Sequence, residues 1–399
     1  MDNSPQHAQG SVAEVFQVFL KLGLTSFGGP IAHLGYFRDE LVTRRRWLSD
    51  TAYADLVALC QFLPGPASSQ VGFALGLLRA GWGGAIAAFV AFTLPSALIL
   101  LALALMATRI ESPLGLGVLH GLKIVAVAIV AQAVWGMARS LCPDRERATI
   151  AVAAIILLAV APGAIGMMGA ILLGAIAGLG LGRGQAATGA HLPVPVSRTA
   201  GVAALVVFTA LLAGLPLLVG LGQGFALADS FYRAGSLVFG GGHVVLPLLQ
   251  AETVAPGWVT EDSFLAGYGA AQAMPGPLFT FAAWLGAVME LEPNGILGAA
   301  IALLALFLPG FLMLIGALPF WDRFRRQAWA QSAMQGANAA VVGILGAALY
   351  DPVFTSAIGR MPDFALALVC LTALMAWKAP PWTVVVLAAT GGVALSFLA

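Results

Sequence analysis

The 399 residues are 60% hydrophobic and 9% charged, against roughly 25% charged in an ordinary soluble domain. Such a chain cannot cover a water-soluble surface, which makes it an all-α, polytopic integral membrane protein whose first partner is the lipid bilayer. A net charge of +1 with no long Lys/Arg tract excludes a nucleic-acid arm, and the three scattered cysteines, Cys60, Cys142 and Cys370, suggest neither a disulfide framework nor a zinc site.

In chain order, Met1 to Gly10 is polar and lacks the pattern of a secretory signal. Val12 to Leu34 is apolar but carries Lys21 and then a glycine-rich break, Thr25-Ser26-Phe27-Gly28-Gly29-Pro30, with His33 just beyond it. A loop holding Arg38, Arg44, Arg45 and Arg46 leads to Trp47. Thr51 to Leu78, which contains Asp55, is interrupted at Gln61-Phe62-Leu63-Pro64-Gly65-Pro66 and resumes with Ser68, Ser69 and Gln70. Proline removes a backbone donor and clashes with the preceding turn, so Pro64-Gly65-Pro66 predicts the tip of a re-entrant hairpin. Full spans follow near Trp82–Met106, Leu114–Met137, Ala148–Val160 and Ala164–Leu181, the second of them carrying His120 and Lys123.

The rest of the chain repeats the first part. After a linker around Gly182 to Thr199 and an extra span, Gly201 to Gly220, Lys21–Gly29 returns as Arg233–Gly241, Trp47 as Trp258, and Gln61–Pro66 as Gln272–Pro277, with Pro275-Gly276-Pro277 as the second tip. Leu94-Pro95 and His120-Gly121 return as Leu308-Pro309 and Gln335-Gly336. The predicted organisation is a first repeat over 11–182, a linker over 183–199, an extra span over 200–222 and a second repeat over 223–399. Basic residues cluster in the first half at Arg44–Arg46 and at Arg139, Arg145 and Arg147, and in the second at Arg323, Arg325 and Arg326. The loop matching the Arg44 cluster is acidic, with Glu252, Glu261 and Asp262. The positive-inside rule then predicts two halves inserted upside-down to each other, with a cytoplasmic N-terminus and an external C-terminus.

Helix-breaking residues at membrane depth are tolerated only where protein or a water-filled cavity satisfies the backbone, and paired breaks are the usual pointer to a transporter's binding site. Lys21, Lys123 and Arg233 fall inside apolar segments, where a cation costs roughly 2.5–3.5 kcal/mol, so each is expected to line a cavity or meet an anion. Beside Lys21 and Arg233 lie Ser26, Gly28 and Gly29 in one half and Gly240 and Gly241 in the other, where backbone N–H groups can approach a ligand. Ser68, Ser69 and Gln70 after the first tip and Thr280 after the second offer further donors to an oxyanion. His33, His243, Asp55 and Asp229 are candidates for proton coupling, and Glu14 a weaker one. No Walker loop, HExxH or GxSxG occurs, so the chain is read as a gradient-driven carrier rather than an enzyme, with no cofactor and no metal.

The series Phe27-Gly-Gly-Pro-Ile-Ala-His33, Arg44-Arg-Arg-Trp47, Gln61-Phe-Leu-Pro-Gly-Pro66, Phe239-Gly-Gly-Gly-His243 and Met274-Pro-Gly-Pro277 resembles the chromate ion transporter family, in its long two-domain form. The resemblance covers nearly the whole chain. It implies chromate as cargo, efflux from a bacterial cytoplasm giving resistance, sulfate as mimic or competitor, and antiparallel homologous halves. Sulfate or another oxyanion as cargo, a passive anion channel, and self-association into a homo-oligomer stay open. The expected site holds the dianion between Lys21 and Arg233, on backbone donors of the two glycine breaks.

Overall fold

The computed structural model describes residues 10–27, 29–107, 113–182, 195–238, 244–321 and 327–397, with the side chains of Ile31, Pro113 and Ala164 set aside. Gly28, Gly240, Gly241 and His243 of the expected site lie outside the described residues, as do Arg109, the Arg323–Arg326 cluster and most of the linker. Among the described residues there are sixteen α-helices of eight or more residues and no strand.

Helix α1 (Val12–Thr25) starts where the Ser11 hydroxyl accepts the Glu14 N–H at 3.0 Å, and it stops at Ser26. After the break the chain re-forms as α2 (Gly29–Phe37), which widens into a π-helical turn over Arg38–Arg44. Helix α3 (Asp50–Phe62) is capped by Ser49 and ends at the first Pro-Gly-Pro tip. Helix α4 (Ala67–Ala107) is broken at Ala80 and Gly81, whose non-helical backbone divides it into arms 67–79 and 82–107. At 1.5 Å per residue the first arm is about 20 Å long, too short to cross a core about 30 Å thick.

Both hairpins of the first half open towards one end of the molecule. Glu14, at the start of α1, meets Arg45 beyond the first hairpin and Arg79 at the close of the second, at 3.9 and 3.1 Å. The Gly10 N–H donates to the Arg79 carbonyl and the Arg79 guanidinium lies over Trp47. The chain enters, turns inside the protein and leaves on the side where it came in, the arrangement that broken backbone at membrane depth requires. The remaining helices of this half are α5 (Pro113–Leu141), α6 (Arg145–Val160) and α7 (Ala164–Leu181). Then comes α8 (Arg198–Leu218), largely exposed and matched by nothing in the first half.

The second half retraces this path with α9 (Gln223–Leu237), α10 (Val245–Thr253), α11 (Glu261–Ala273), α12 (Phe281–Val288), α13 (Gly295–Ala317), α14 (Ala328–Ala348), α15 (Met361–Met375) and α16 (Pro381–Ser396). Thr260 caps α11 as Ser49 caps α3, and the Glu290 N–H donates to the Trp258 carbonyl, closing the fourth arm beside the start of the third. Pro95 and Pro309 sit inside α4 and α13 at repeated positions.

The relative direction of the halves follows from contacts between them. Arg147, at the start of α6, shares a small crevice with Ser332 and Gln335 at the start of α14, and farther along the same helices a Cβ on Gly343 would strike the Ala151 carbonyl. Thus α6 and α14 run parallel. By the same test α5 and α15 run parallel, since His120 Nε2 lies 3.0 Å from Asp363 Oδ1 and Val125, Ala128 and Ile129 pack against Cys370, Ala373 and Leu374. Because α6 begins where α5 ends, α14 begins at the end of the molecule where α5 stops, and the equivalent helices α5 and α14 point in opposite directions. The halves are inverted and exchange partners: α5 packs on α15 and α16, and α14 on α6 and α7. Glycines allow this closeness, since side chains at Gly121, Gly178, Gly336 or Gly392 would meet backbone of the opposing helix.

Candidate functional site

The two tips and the two breaks meet at the centre. Gly276, in the second tip, donates its N–H to the carbonyl of Ser26 in the first break at 2.8 Å, and Gly65, in the first tip, donates to the carbonyl of Val238 at the second break, also at 2.8 Å. Each half thus satisfies the end of the other half's broken helix. The tips need glycine: φ is +116° at Gly65 and +88° at Gly276. A Cβ at Gly65 would lie 2.8 Å from Gly310 Cα, and one at Gly276 3.0 Å from both the Phe92 carbonyl and Ser96 Oγ. Pro64, Pro66, Pro275 and Pro277 flank these glycines and hold the tips out of helix.

Around the first break the side chains are polar and sealed from solvent. Ser26, His33, Ser68, Ser69, Thr93 and Ser96 are all buried. His33 Nδ1 lies 3.3 Å from Ser68 Oγ, the ring sits beside the Ser26 carbonyl, and its edge stands against Phe92. Ser26 Oγ, His33 Nε2, Ser69 Oγ and Thr93 Oγ1 have no hydrogen-bond partner among the described residues. Gly29, opening α2, has a φ of +78° and open space where a side chain would project. Beside the tip that reaches Val238, Gln70 is buried with its Nε2 donating to the carbonyls of Pro64 at 2.9 Å and Gly310 at 2.8 Å.

The cations of the expected site are present but already compensated. Lys21 Nζ lies 3.6 Å from Glu40, whose carboxylate also accepts from Arg44 at 3.0 Å and Arg45 at 2.8 Å. Arg233 reaches Asp229 at 2.8 Å and Glu252 at 3.0 Å. Lys21 is 56% exposed and Arg233 33%, so neither is a bare charge enclosed with the donors at the breaks. The anion that each of them meets in the structure is a carboxylate of the protein itself. Lys123, about three turns into α5, likewise pairs with Asp262 at the start of α11, at 2.7 Å.

Of the proton-coupling candidates, His33 joins the first break, Asp229 is bound to Arg233, and Asp55 is buried in α3. Thr280 spends its hydroxyl on the Pro277 carbonyl and is no free donor. Sequence reasoning missed Glu40 and Glu252. They follow Lys21 and Arg233 by the same 19 residues, so the self-comparison that paired the cations carries them too. It also missed Thr93 and Ser96, for which an apolar helix gives no signal beyond the neighbouring Pro95. Among the described residues no three His, Cys, Asp or Glu side chains gather closely enough to hold a metal ion.

Crossed broken helices, buried polar side chains and inverted halves are features that secondary transporters share. The sequence model of the chromate transporter family matches residues 13–179 and 225–393. The chain belongs to the chromate transporter family. Its two matched regions coincide with the two inverted sets of helices, leaving α8 between them. The chain is 31% identical to the chromate transport protein of Pseudomonas aeruginosa, over 96% of this chain and 91% of that one. It is 27% identical to the chromate transport protein of Cupriavidus metallidurans, over 94% of each, and 27% to a probable chromate transport protein of Synechococcus elongatus, over 97% and 96%. No solved structure matches the chain.

Proposed function

We propose that this multi-pass member of the chromate transporter family exports chromate from the cytoplasm across a bacterial inner membrane, driven by the proton gradient, and so confers chromate resistance. The observation that carries the proposal is the cluster of buried donors where the inverted halves cross, since oxyanion oxygens need such donors in place of water. The dianion binds at the crossed breaks and tips, among Ser26, Gly29, Ser68, Pro64-Gly65-Pro66 and Pro275-Gly276-Pro277. Rocking of one half against the other opens this level to each side in turn, and His33 is the proton-coupling group nearest to it.

Charge supports the direction. At the end shared by the openings of the first half, Lys21, Arg44, Arg45 and Arg79 surround the two carboxylates Glu14 and Glu40. At the corresponding place in the second half, Arg233 is the one cation among the described residues that pairs with Asp229 and Glu252. The positive-inside rule assigns the first end to the cytoplasm, so a dianion is drawn in at the cationic mouth and repelled from the anionic one. In this reading Lys21 and Arg233 act through the field at the mouths rather than as direct ligands. Sulfate, a tetrahedral dianion of similar size, is the expected competitor.

Everted membrane vesicles holding the chain should accumulate chromate when energised, lose that accumulation with an uncoupler, and show less of it with excess sulfate. Accumulation equal to that of vesicles without the chain would overturn chromate as cargo. Flux that ignores the uncoupler and only equilibrates chromate would make the protein a passive anion channel.

A further inference from the structure

The two breaks receive the opposite tip alike but differ in the side chains the sequence places around them. Each receives the N–H of the opposite tip at 2.8 Å. The alignment that pairs Lys21 with Arg233 pairs Ser26 with Val238 and His33 with Val245, and the one that pairs Pro95 with Pro309 pairs Thr93 with Phe307 and Ser96 with Gly310. Ser26, His33, Thr93 and Ser96 therefore face counterparts that are apolar or have no side chain, and the one polar counterpart, Thr280 for Ser69, spends its hydroxyl on the Pro277 carbonyl. A buried polar atom left without a partner costs about 1–3 kcal/mol and calls for an explanation. Ser26 Oγ and His33 Nε2, on residues with 0% exposure, are two such atoms at one break, before the open space at the start of α2. Beside the tip that reaches Val238 stands Gln70, both hydrogens of its amide spent on the Pro64 and Gly310 carbonyls. What it leaves over is Oε1, an acceptor, which repels an oxyanion.

We infer that the protein holds one oxyanion site rather than a symmetric pair, located at the first break with Ser26 and His33 as its selecting donors and Ser68 as the residue that orients His33, and that Gln70 closes the equivalent position at the second break. With Nδ1 of His33 accepting from the Ser68 hydroxyl, the ring proton sits on Nε2 and points at the anion together with Ser26 Oγ. The inference rests on the oxyanion-carrier reading above and adds where, and how many times, the anion is held.

The test is equilibrium binding of radiolabelled chromate to the purified full-length chain, together with thermal unfolding of the ligand-free protein. One chromate per chain is expected. S26A, H33Q and S68A should each weaken binding about tenfold or more, the value of one hydrogen bond to a charged group. Removing an unpartnered hydroxyl takes no bond from the fold, so S26A should unfold at the same temperature as the wild type or higher while it binds worse. A purely structural serine would not give that split. Two chromates per wild-type chain, or unchanged binding in all three variants, overturns the single site and leaves the transporter reading intact. A wild-type chain that binds neither chromate nor sulfate overturns the transporter reading itself.

Discussion

At the scale of the residue, Glu40 shows how the protein handles charge near the bilayer. Burial of its side chain, 10% exposed, works to raise its carboxyl, but hydrogen bonds from Arg45 and Arg44 and the charge of Lys21 outweigh that and hold it below the usual range. A carboxylate depressed in the folded state contributes stability above its unfolded value, about 4.3, and loses that contribution as pH falls through the lower folded value. Replacing Glu40 with Gln leaves three cations facing one another, and because those cations are 33–65% exposed the cost should be about 1–2 kcal/mol at neutral pH. Thermal unfolding in detergent from pH 7 downwards checks this: the gap between wild type and E40Q should begin to narrow only below the unfolded value of about 4.3 and close once the pH is under the lower folded value. A gap that persisted there would mean that Glu40 does not act through its charge.

At the scale of the element, the tips are the parts whose sequence and shape are most tightly tied. Gly65 and Gly276 combine a left-handed backbone with a close approach to the opposite half, so alanine at either strains φ and crowds a neighbour. The crowding differs. At Gly65 the new Cβ would meet a backbone Cα at 2.8 Å, whereas at Gly276 its two nearest atoms, both at 3.0 Å, include the rotatable Ser96 hydroxyl. G65A should therefore lower the unfolding temperature more than G276A, with both reducing chromate transport in vesicles, and the reverse order would mean that the Gly310 contact relaxes freely. Pro-Gly-Pro, the proline inside α4 and the doubled break were legible in the sequence because a helix breaker in an apolar run has few other uses. Whether Ser26 or Lys21 met the substrate was not legible. Both lie in one break region, and the proposal favours Ser26 because Glu40 returns from beyond α2 to pair with the lysine.

At the scale of the whole molecule, duplication and inversion could be read from repeated motifs and the sign of matching loops, but the exchange of partners between halves could not. That exchange depends on glycine stripes at Gly117 and Gly121 against Gly392, and at Gly174 and Gly178 against Gly336, in segments where apolar periodicity only says lipid or protein. This geometry makes a strict prediction about sidedness. Cys142 lies between α5 and α6 at the basic end, while Met361, 77% exposed, opens α15 at the opposite end. A membrane-impermeant maleimide should label Cys142 in everted vesicles and not in intact cells. Labelling should be slow until the pH is raised, because burial lifts that thiol's pKa despite the Arg147 charge. In a C142S background, M361C should behave in the opposite way, reacting in intact cells and not in everted vesicles. Labelling of both positions from the same side would mean that the equivalent helices run in one direction, and the crossed clasp of tips and breaks would then have to be built some other way.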